Sequence, residues 1–138
     1  MTQEEKDILY TDLCARLPYN VRVEYNGTTL TNIFDVLGIA HGRIMLCLPF
    51  MSKTECPLIE EVKPYLFPMS SMTEEQKEEY HYIVNYLSPD DTDNWREDEF
   101  IYVNQMTALL HFYLNNHLDY RGLIEKGLAF DATDKNIY

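Results

Sequence analysis

The sequence predicts an α+β fold in which an N-terminal helix and a small antiparallel β-meander precede a mainly helical C-terminal part. Two observations predict it. The apolar residues change from a period near 3.6 to a period of 2 at Pro18, and the helical period returns after Pro68. With 138 residues, 46% of them apolar, the chain is long enough to bury its own core. We therefore expect a single domain over 1–138, with helix and meander in 1–63 and a dependent helical part in 64–138.

The first helix is predicted over about 3–16. Thr2 and Glu5 have the spacing of a capping box, in which each side chain accepts a hydrogen bond from the backbone N–H of the other residue. Leucines then recur at helical spacing as far as Pro18, which lacks the N–H that a helix interior needs.

Short strands are predicted after this helix. Apolar and charged side chains alternate over 21–25, and Asn26-Gly27 is a strong signal for a tight hairpin turn, followed by a return strand at about 28–33. Further strands are expected at 43–48 and, with a weaker pattern, at 57–63. Consecutive strands of this kind form a meander, which either stays open or closes as a small SH3-like barrel.

The helical part follows an extended connection at 64–71. Thr73 and Gln76 have the spacing of a second capping box, and the helix that they begin should end near Leu87. A turn-rich, hydrophilic loop at 88–94 then leads toward the longest predicted helix.

That central helix is predicted over 98–118, with Leu110 and Leu114 on the face that enters the core. After it, Asp119 is placed to cap a short helix that Gly127 closes. The tail beyond residue 127 has no period.

A polar line crosses the central helix. Asn104, His111 and Asn115 are seven and four residues apart, so they share one edge and are candidates for a binding site. A solvated edge or a satisfied hydrogen-bond row is the alternative. His117 and Asp119 extend the set, but His111 and His117 point in different directions unless the helix ends between them. We predict no catalytic residue, no metal site and no cofactor, because no nucleophile, phosphate-loop or zinc motif is present.

The charge of the chain restricts its partners. A net charge of −12 argues against direct binding to nucleic acid, which depends on clustered Lys and Arg. Residues 51–100 contain 13 acidic and four basic residues and so carry −9 of this total. Within them, the candidates for a protein-binding patch, with an aromatic anchor inside an acidic rim, are Asp90, Asp91, Asp93 and Trp95. A solubilising surface is the alternative.

The compartment is expected to be the cytoplasm. The N-terminal residues lack a basic region followed by an apolar stretch, and no window has the length and hydrophobicity of a membrane span. The three cysteines are odd in number and irregularly spaced, so we expect reduced thiols.

Three stretches carry a resemblance to a known family. They are LCARLPYNVRVEY at 13–25, EEVKPYLFPMSSMTEEQKEEY at 60–80 and LDYRGLIEKGLAFDATDKNIY at 118–138. In this order they resemble an uncharacterised family of small proteins common in phages, prophages and mobile elements of gut anaerobic bacteria. The resemblance implies a setting, the host cell cytoplasm, and an accessory role. It implies no activity, cofactor or site residue.

Three functions follow as alternatives. The first is a non-enzymatic accessory protein of a phage or mobile element, which binds a host or phage protein with a basic surface, for example against host defence. The second is a binder of a small nucleotide-like ligand, or a hydrolase, with a pocket between the meander and the central helix at Asn104, His111 and Asn115. The third is an acidic mimic of DNA, which is disfavoured because the acidic residues concentrate in one segment. The oligomeric state is not predicted.

Overall fold

The structure is a computed structural model that describes residues 1–26, 32–48, 54–86 and 95–138, with the side chains of 86 and 95–103 excepted. Its helices and strands are α1 (Gln3–Arg16), β1 (Arg22–Tyr25), β2 (Ile33–Ala40), β3 (Arg43–Cys47), β4 (Thr54–Glu55), β5 (Val62–Leu66), α2 (Glu74–Tyr86), α3 (Trp95–Asn115) and β6 (Phe130–Asp131). The predicted α+β class is confirmed. Both predicted capping boxes are also present: Thr2 and Glu5 cap α1, and Thr73 and Gln76 cap α2.

The six strands form one sheet in the order β4-β3-β2-β1-β5-β6. All neighbours are antiparallel except β5 and β6, which are parallel. Within the described part of the chain, β4 and β6 lie at opposite edges, and each has only two residues. The sheet is therefore open, and closure into an SH3-like barrel is wrong, because closure needs the two edge strands to pair.

The first hairpin is longer than predicted. The backbone N–H of Tyr25 donates to the carbonyl of Asn32 at 2.9 Å. A two-residue turn at Asn26-Gly27 would instead place Thr28 opposite Tyr25. Gly27 and Thr28 lie outside the described residues, but this register shows that six residues separate the paired positions.

The strand predicted at 57–63 is displaced. Ile59–Glu61 is a 3-10 turn, and β5 follows it and runs through Pro64, in a stretch predicted to be an extended connection. Pro64 pairs with Val23 of β1, whereas β6 begins opposite Tyr65. Proline has no N–H to donate, so it is tolerated in a strand at a position that has a neighbouring strand on one side only. Pro64 is such a position, because β1 lies on one side of it and β6 does not reach it on the other.

The main core lies between one face of the sheet and α1. Its buried members come from α1, from β1, β2, β3 and β5 with the residues that adjoin β1 and β3, from the 3-10 turn at Ile59–Glu61, and from the turns after α3: Leu9, Leu13, Val21, Val23, Phe34, Val36, Ile44, Leu46, Leu48, Ile59, Val62, Leu66, Leu123, Leu128 and Ala129. Successive strand residues face opposite sides, so Arg22, Asp35 and Cys47 lie on the other face. The C-terminal tail covers part of that face with Ala132 and Ile137, which cluster with Tyr65.

Helix α3 packs on α2 through the face that carries Ala108 and Phe112. Phe112 of α3 and Ile83 of α2 are buried in the same cluster. Leu114 is 4% exposed, as predicted, but Leu110 is 42% exposed, so its predicted burial is wrong. The bounds also differ: α3 begins at Trp95 and ends at Asn115, whereas the helix was predicted over 98–118.

The chain leaves α3 through a left-handed residue. His117 has φ of 54°, its N–H bonds the carbonyl of Leu114 at 3.2 Å, and the N–H of Leu118 bonds the carbonyl of Tyr113 at 2.9 Å. This pair of bonds is a Schellman motif, which ends the helix before the predicted residue 118.

The short helix predicted after Asp119 is wrong, because these residues form a series of turns. The Asp119 carboxylate nevertheless accepts hydrogen bonds from the backbone N–H groups of Leu123 at 2.8 Å and Ile124 at 2.9 Å. Asp119 is therefore a capping residue as predicted, but it caps a turn and not a helix.

Candidate functional site

Two clefts meet at the C-terminal end of α3. The α2–α3 cleft, of about 460 Å³, is lined by Tyr19, Glu79, Tyr82, Ile83, Ala108, His111, Phe112 and Asn115. The sheet-side cleft, of about 570 Å³, is lined by Tyr19, Asn20, Arg22, Asp35, Leu37, Cys47, Asn115, His117 and Tyr138. Tyr19 and Asn115 line both, so they form the wall between the clefts.

The α2–α3 cleft has an apolar floor and a polar rim. Ile83 and Phe112 are buried in the floor, with Ala108 partly buried beside them. Tyr82 stands at the side and is 57% exposed, while Glu79 is exposed at the rim. An apolar floor with a few polar groups around it is the usual composition of a binding site.

Tyr19 reaches this cleft because Leu17–Tyr19 forms a 3-10 turn directly after α1, with Pro18 at its start. The Tyr19 hydroxyl and the Nδ1 of His111 share a hydrogen bond, and the two rings are 6.0 Å apart. This bond joins the turn to α3 and holds the imidazole at the cleft.

The sheet-side cleft is built on the face of the sheet that the main core does not use. The Arg22 Nε donates to Asp35 Oδ1 at 3.0 Å across the β1–β2 pair, and a second Arg22 nitrogen donates to the carbonyl of Ile137. The side chains of Arg22 and Asp35 are 33% and 34% exposed. Both charges therefore face the cleft as a pair.

His117 and Tyr138 close the other side of this cleft. Burial, and then the positive charges of Arg16 and Arg22, lower the pKa of His117 to about 4, so its imidazole is neutral at pH 7. Its Nδ1 is buried and has no hydrogen-bond partner among the residues that the structure describes. Burial raises the pKa of Tyr138 to about 12, so its hydroxyl keeps its proton.

The chemistry of the sheet-side cleft favours binding over nucleophilic catalysis. Burial and the nearby Asp35 carboxylate both raise the pKa of the Cys47 thiol. A thiol of raised pKa is a poor nucleophile, because the thiolate is the reactive form. The three cysteines are free. Among the described side chains, no three His, Cys, Asp or Glu residues lie close enough to hold a metal ion.

The residues proposed from sequence are separated by the fold. His111 and Asn115 line the α2–α3 cleft, and Asn115 also lines the sheet-side cleft, whereas Asn104 is exposed on α3 and lines neither. The helix does end between His111 and His117, so His111 lines the α2–α3 cleft and His117 lines the sheet-side cleft. Asp90, Asp91 and Asp93 lie outside the described residues, as does the side chain of Trp95.

Sequence reasoning missed several cleft residues: Tyr19, Arg22, Asp35, Tyr82 and Tyr138. Their types are common and their spacing has no motif. The abundance of tyrosine, 11 residues in the chain, was the one available signal, but it does not indicate which tyrosines are exposed.

Comparisons of the chain with protein-family models, with curated proteins and with solved structures give no match. None of the helices in the described ranges is long and apolar enough to span a membrane. The geometry of the clefts is therefore the basis for assigning a function.

Proposed function

We propose that this protein is an accessory factor of a phage or mobile element and acts by binding another protein. The binding surface is the α2–α3 cleft together with the acidic face of α2. The partner presents a basic segment, with at least one Lys or Arg side chain that enters the cleft.

The observation that carries the proposal is the exposure of Tyr82 beside an apolar floor. Tyr82 is 57% exposed, although the buried residues Ile83 and Phe112 line the same cleft. Protein interfaces place large aromatic anchors at such apolar centres and surround them with polar groups. A partner side chain seated here would bury the tyrosine ring and the floor together.

The charge of α2 indicates the sign of the charge that the partner carries. Four exposed glutamates lie on this helix, at positions 74, 75, 78 and 79, and Lys77 is its single Lys or Arg. Lys77 is already paired with Glu74 at 3.1 Å. The surface beside the cleft is therefore negative, and it attracts a basic partner over roughly the Debye length of about 8 Å at physiological salt.

The cleft suits a long cationic side chain. The aliphatic stem of Lys or Arg covers apolar surface while its charged end stays near polar groups. Here the stem would lie over Ala108 and Phe112. The charged end would lie near the Glu79 carboxylate and over the ring of Tyr82, where a cation is attracted to the face of an aromatic ring.

Site-specific photo-crosslinking tests the proposal. A photoreactive phenylalanine analogue replaces Tyr82, and a matched variant carries it in place of Tyr10, which is 39% exposed on α1. In host cells that make the protein, we expect a discrete adduct from position 82 and none from position 10. The adduct should weaken in a Glu78→Gln/Glu79→Gln background. Identical adducts from both positions, or none from position 82, would contradict the proposal.

A further inference from the structure

We infer that the sheet-side cleft binds a neutral, planar small molecule with an amide-like edge, of the nucleobase or nucleoside class. This site is separate from the protein-binding surface proposed above and does not depend on it. Its volume of about 570 Å³ lies within the range of about 300–1,000 Å³ typical of small-molecule sites.

The Arg22–Asp35 pair provides the recognition chemistry. The pair is joined through one nitrogen and one oxygen, and both side chains are about one-third exposed. The guanidinium offers further N–H donors and the carboxylate a further acceptor, side by side. An adjacent donor and acceptor match the edge of a nucleobase, as amide side chains do when they read bases. The carboxamides of Asn20 and Asn115, both exposed, add groups of the same kind.

The charges of the cleft favour a neutral ligand over a phosphorylated one. Arg22 is the cationic side chain among the lining residues, and Asp35 already neutralises it. His117 is neutral at pH 7. An added phosphate would therefore face the Asp35 carboxylate and a chain of net charge −12, without a free cation among the described lining residues to hold it.

The apolar surfaces of the cleft suit a flat ring. Tyr19 forms one wall of the cleft. Leu37 of β2, which is exposed, forms part of another wall. Planar aromatic side chains and bases stack favourably on each other. A nucleobase between these two side chains would cover apolar surface that otherwise faces solvent.

The backbone at His117 supports a functional role for this wall. The position is the left-handed residue of a Schellman motif, where glycine is favoured because a Cβ is strained there. The chain instead has a histidine, whose ring stacks on Tyr138 with the centroids 3.8 Å apart. Residues with strained backbone conformations concentrate at binding sites, where the function of the side chain offsets the free-energy cost of the conformation.

The test is an NMR titration of the full ¹⁵N-labelled chain with adenosine, guanosine, cytidine and uridine, each alone, and then with the matching 5′-monophosphates. We expect saturable shifts at Arg22, Asp35 and Asn115 for at least one nucleoside. The affinity for its monophosphate should be lower by about fivefold or more, because the phosphate and the Asp35 carboxylate have like charges.

Two matched variants locate the site. Leu37→Asp places a second carboxylate at the mouth of the cleft and should weaken binding by about tenfold or more. Met45→Asp makes the same change at an exposed residue of β3 outside the cleft and should leave binding unchanged. Tyr82→Ala, in the other cleft, should also leave it unchanged. The inference is overturned if no nucleoside saturates, if the monophosphate binds more tightly, or if Leu37→Asp binds like the wild type.

Discussion

The imidazole of His117 lies flat on the phenol ring of Tyr138, with the ring centroids 3.8 Å apart and the planes 11° apart. The Tyr138 hydroxyl donates to the carbonyl of Tyr65 at 2.6 Å and accepts from the backbone N–H of Arg22 at 3.1 Å. This stacked pair joins the end of α3 to β1 and β5. Because it buries a titratable ring, it should make stability depend on pH.

We expect the free energy of unfolding to fall as the pH falls from about 6.5 to about 4. Burial lowers the pKa of His117 to about 4, from an ordinary value of 6.5. The unfolded chain therefore takes up the proton first, and the contribution of the neutral imidazole is complete above pH 6.5 and lost toward pH 4. It amounts to at most about 3 kcal/mol. Urea denaturation at pH 7.5 and pH 4.5 measures it.

The matched variants for this effect are His117→Asn and His81→Gln. Asparagine tolerates the left-handed backbone but does not titrate, so His117→Asn should flatten the pH dependence. His81 is exposed on α2, and its replacement should leave the dependence as in the wild type. An NMR titration that places the pKa of His117 above 6 would contradict the prediction.

Leu114 and Leu110 should differ sharply on truncation. Leu114→Ala leaves a cavity in the core and should cost about 2–5 kcal/mol, whereas Leu110→Ala, at an exposed position, should cost under about 0.5 kcal/mol. Urea denaturation midpoints compare the two variants directly. Equal midpoints would show that the face of α3 is assigned wrongly.

Asp119→Ala should destabilise the protein by about 2–4 kcal/mol, because it leaves the backbone N–H groups of Leu123 and Ile124 without their acceptor. Asp119→Asn retains one acceptor oxygen and should cost less. Asp131 is the control: its carboxylate also accepts from a backbone N–H, that of Thr133, but it is exposed, so Asp131→Ala should cost under about 1 kcal/mol. Thermal unfolding of the three variants tests this order.

A buried charge cluster gives the fourth prediction. Arg16 and Asp12 are fully buried and paired at 2.6 Å, and Arg16 also donates to the carbonyl of Leu118 at 2.8 Å. Arg121 Nε lies 3.3 Å from Asp12 Oδ1 and has no hydrogen-bond partner in the described part of the chain, so this contact is an ion pair without a hydrogen bond. One carboxylate therefore faces two guanidiniums.

Asp12→Asn should cost about 3–5 kcal/mol, because it leaves the buried cation of Arg16 uncompensated. The double variant Asp12→Leu/Arg16→Met removes both charges and should be less destabilised than the single variant. Chemical denaturation of the wild type and both variants decides the order. A double variant less stable than Asp12→Asn would mean that the cluster is held by packing and by the bond to Leu118, with little contribution from charge.

Local interactions explain what could be predicted from the sequence. Both capping boxes join residues that are three apart, Thr2 with Glu5 and Thr73 with Gln76, so they can be recognised from the sequence alone. The alternation over 21–25 predicted β1 for the same reason. The displaced strand after residue 57 shows the limit: Pro64 is acceptable in β5 only because β6 starts one residue later.

The sequence by itself determined the α+β class, the start of α1 and α2, and the acidic character of α2, since these depend on neighbouring residues and on composition. Only the tertiary structure decided which face of α3 is buried and which residues form the clefts. Leu110 and Leu114 have the same side chain and share one helical face, yet Leu110 is 42% exposed and Leu114 is 4% exposed. Tyr19 meets His111 across 92 residues and Arg22 meets Tyr138 across 116. Contacts at such separations depend on how distant elements pack, so no local period or motif encodes them.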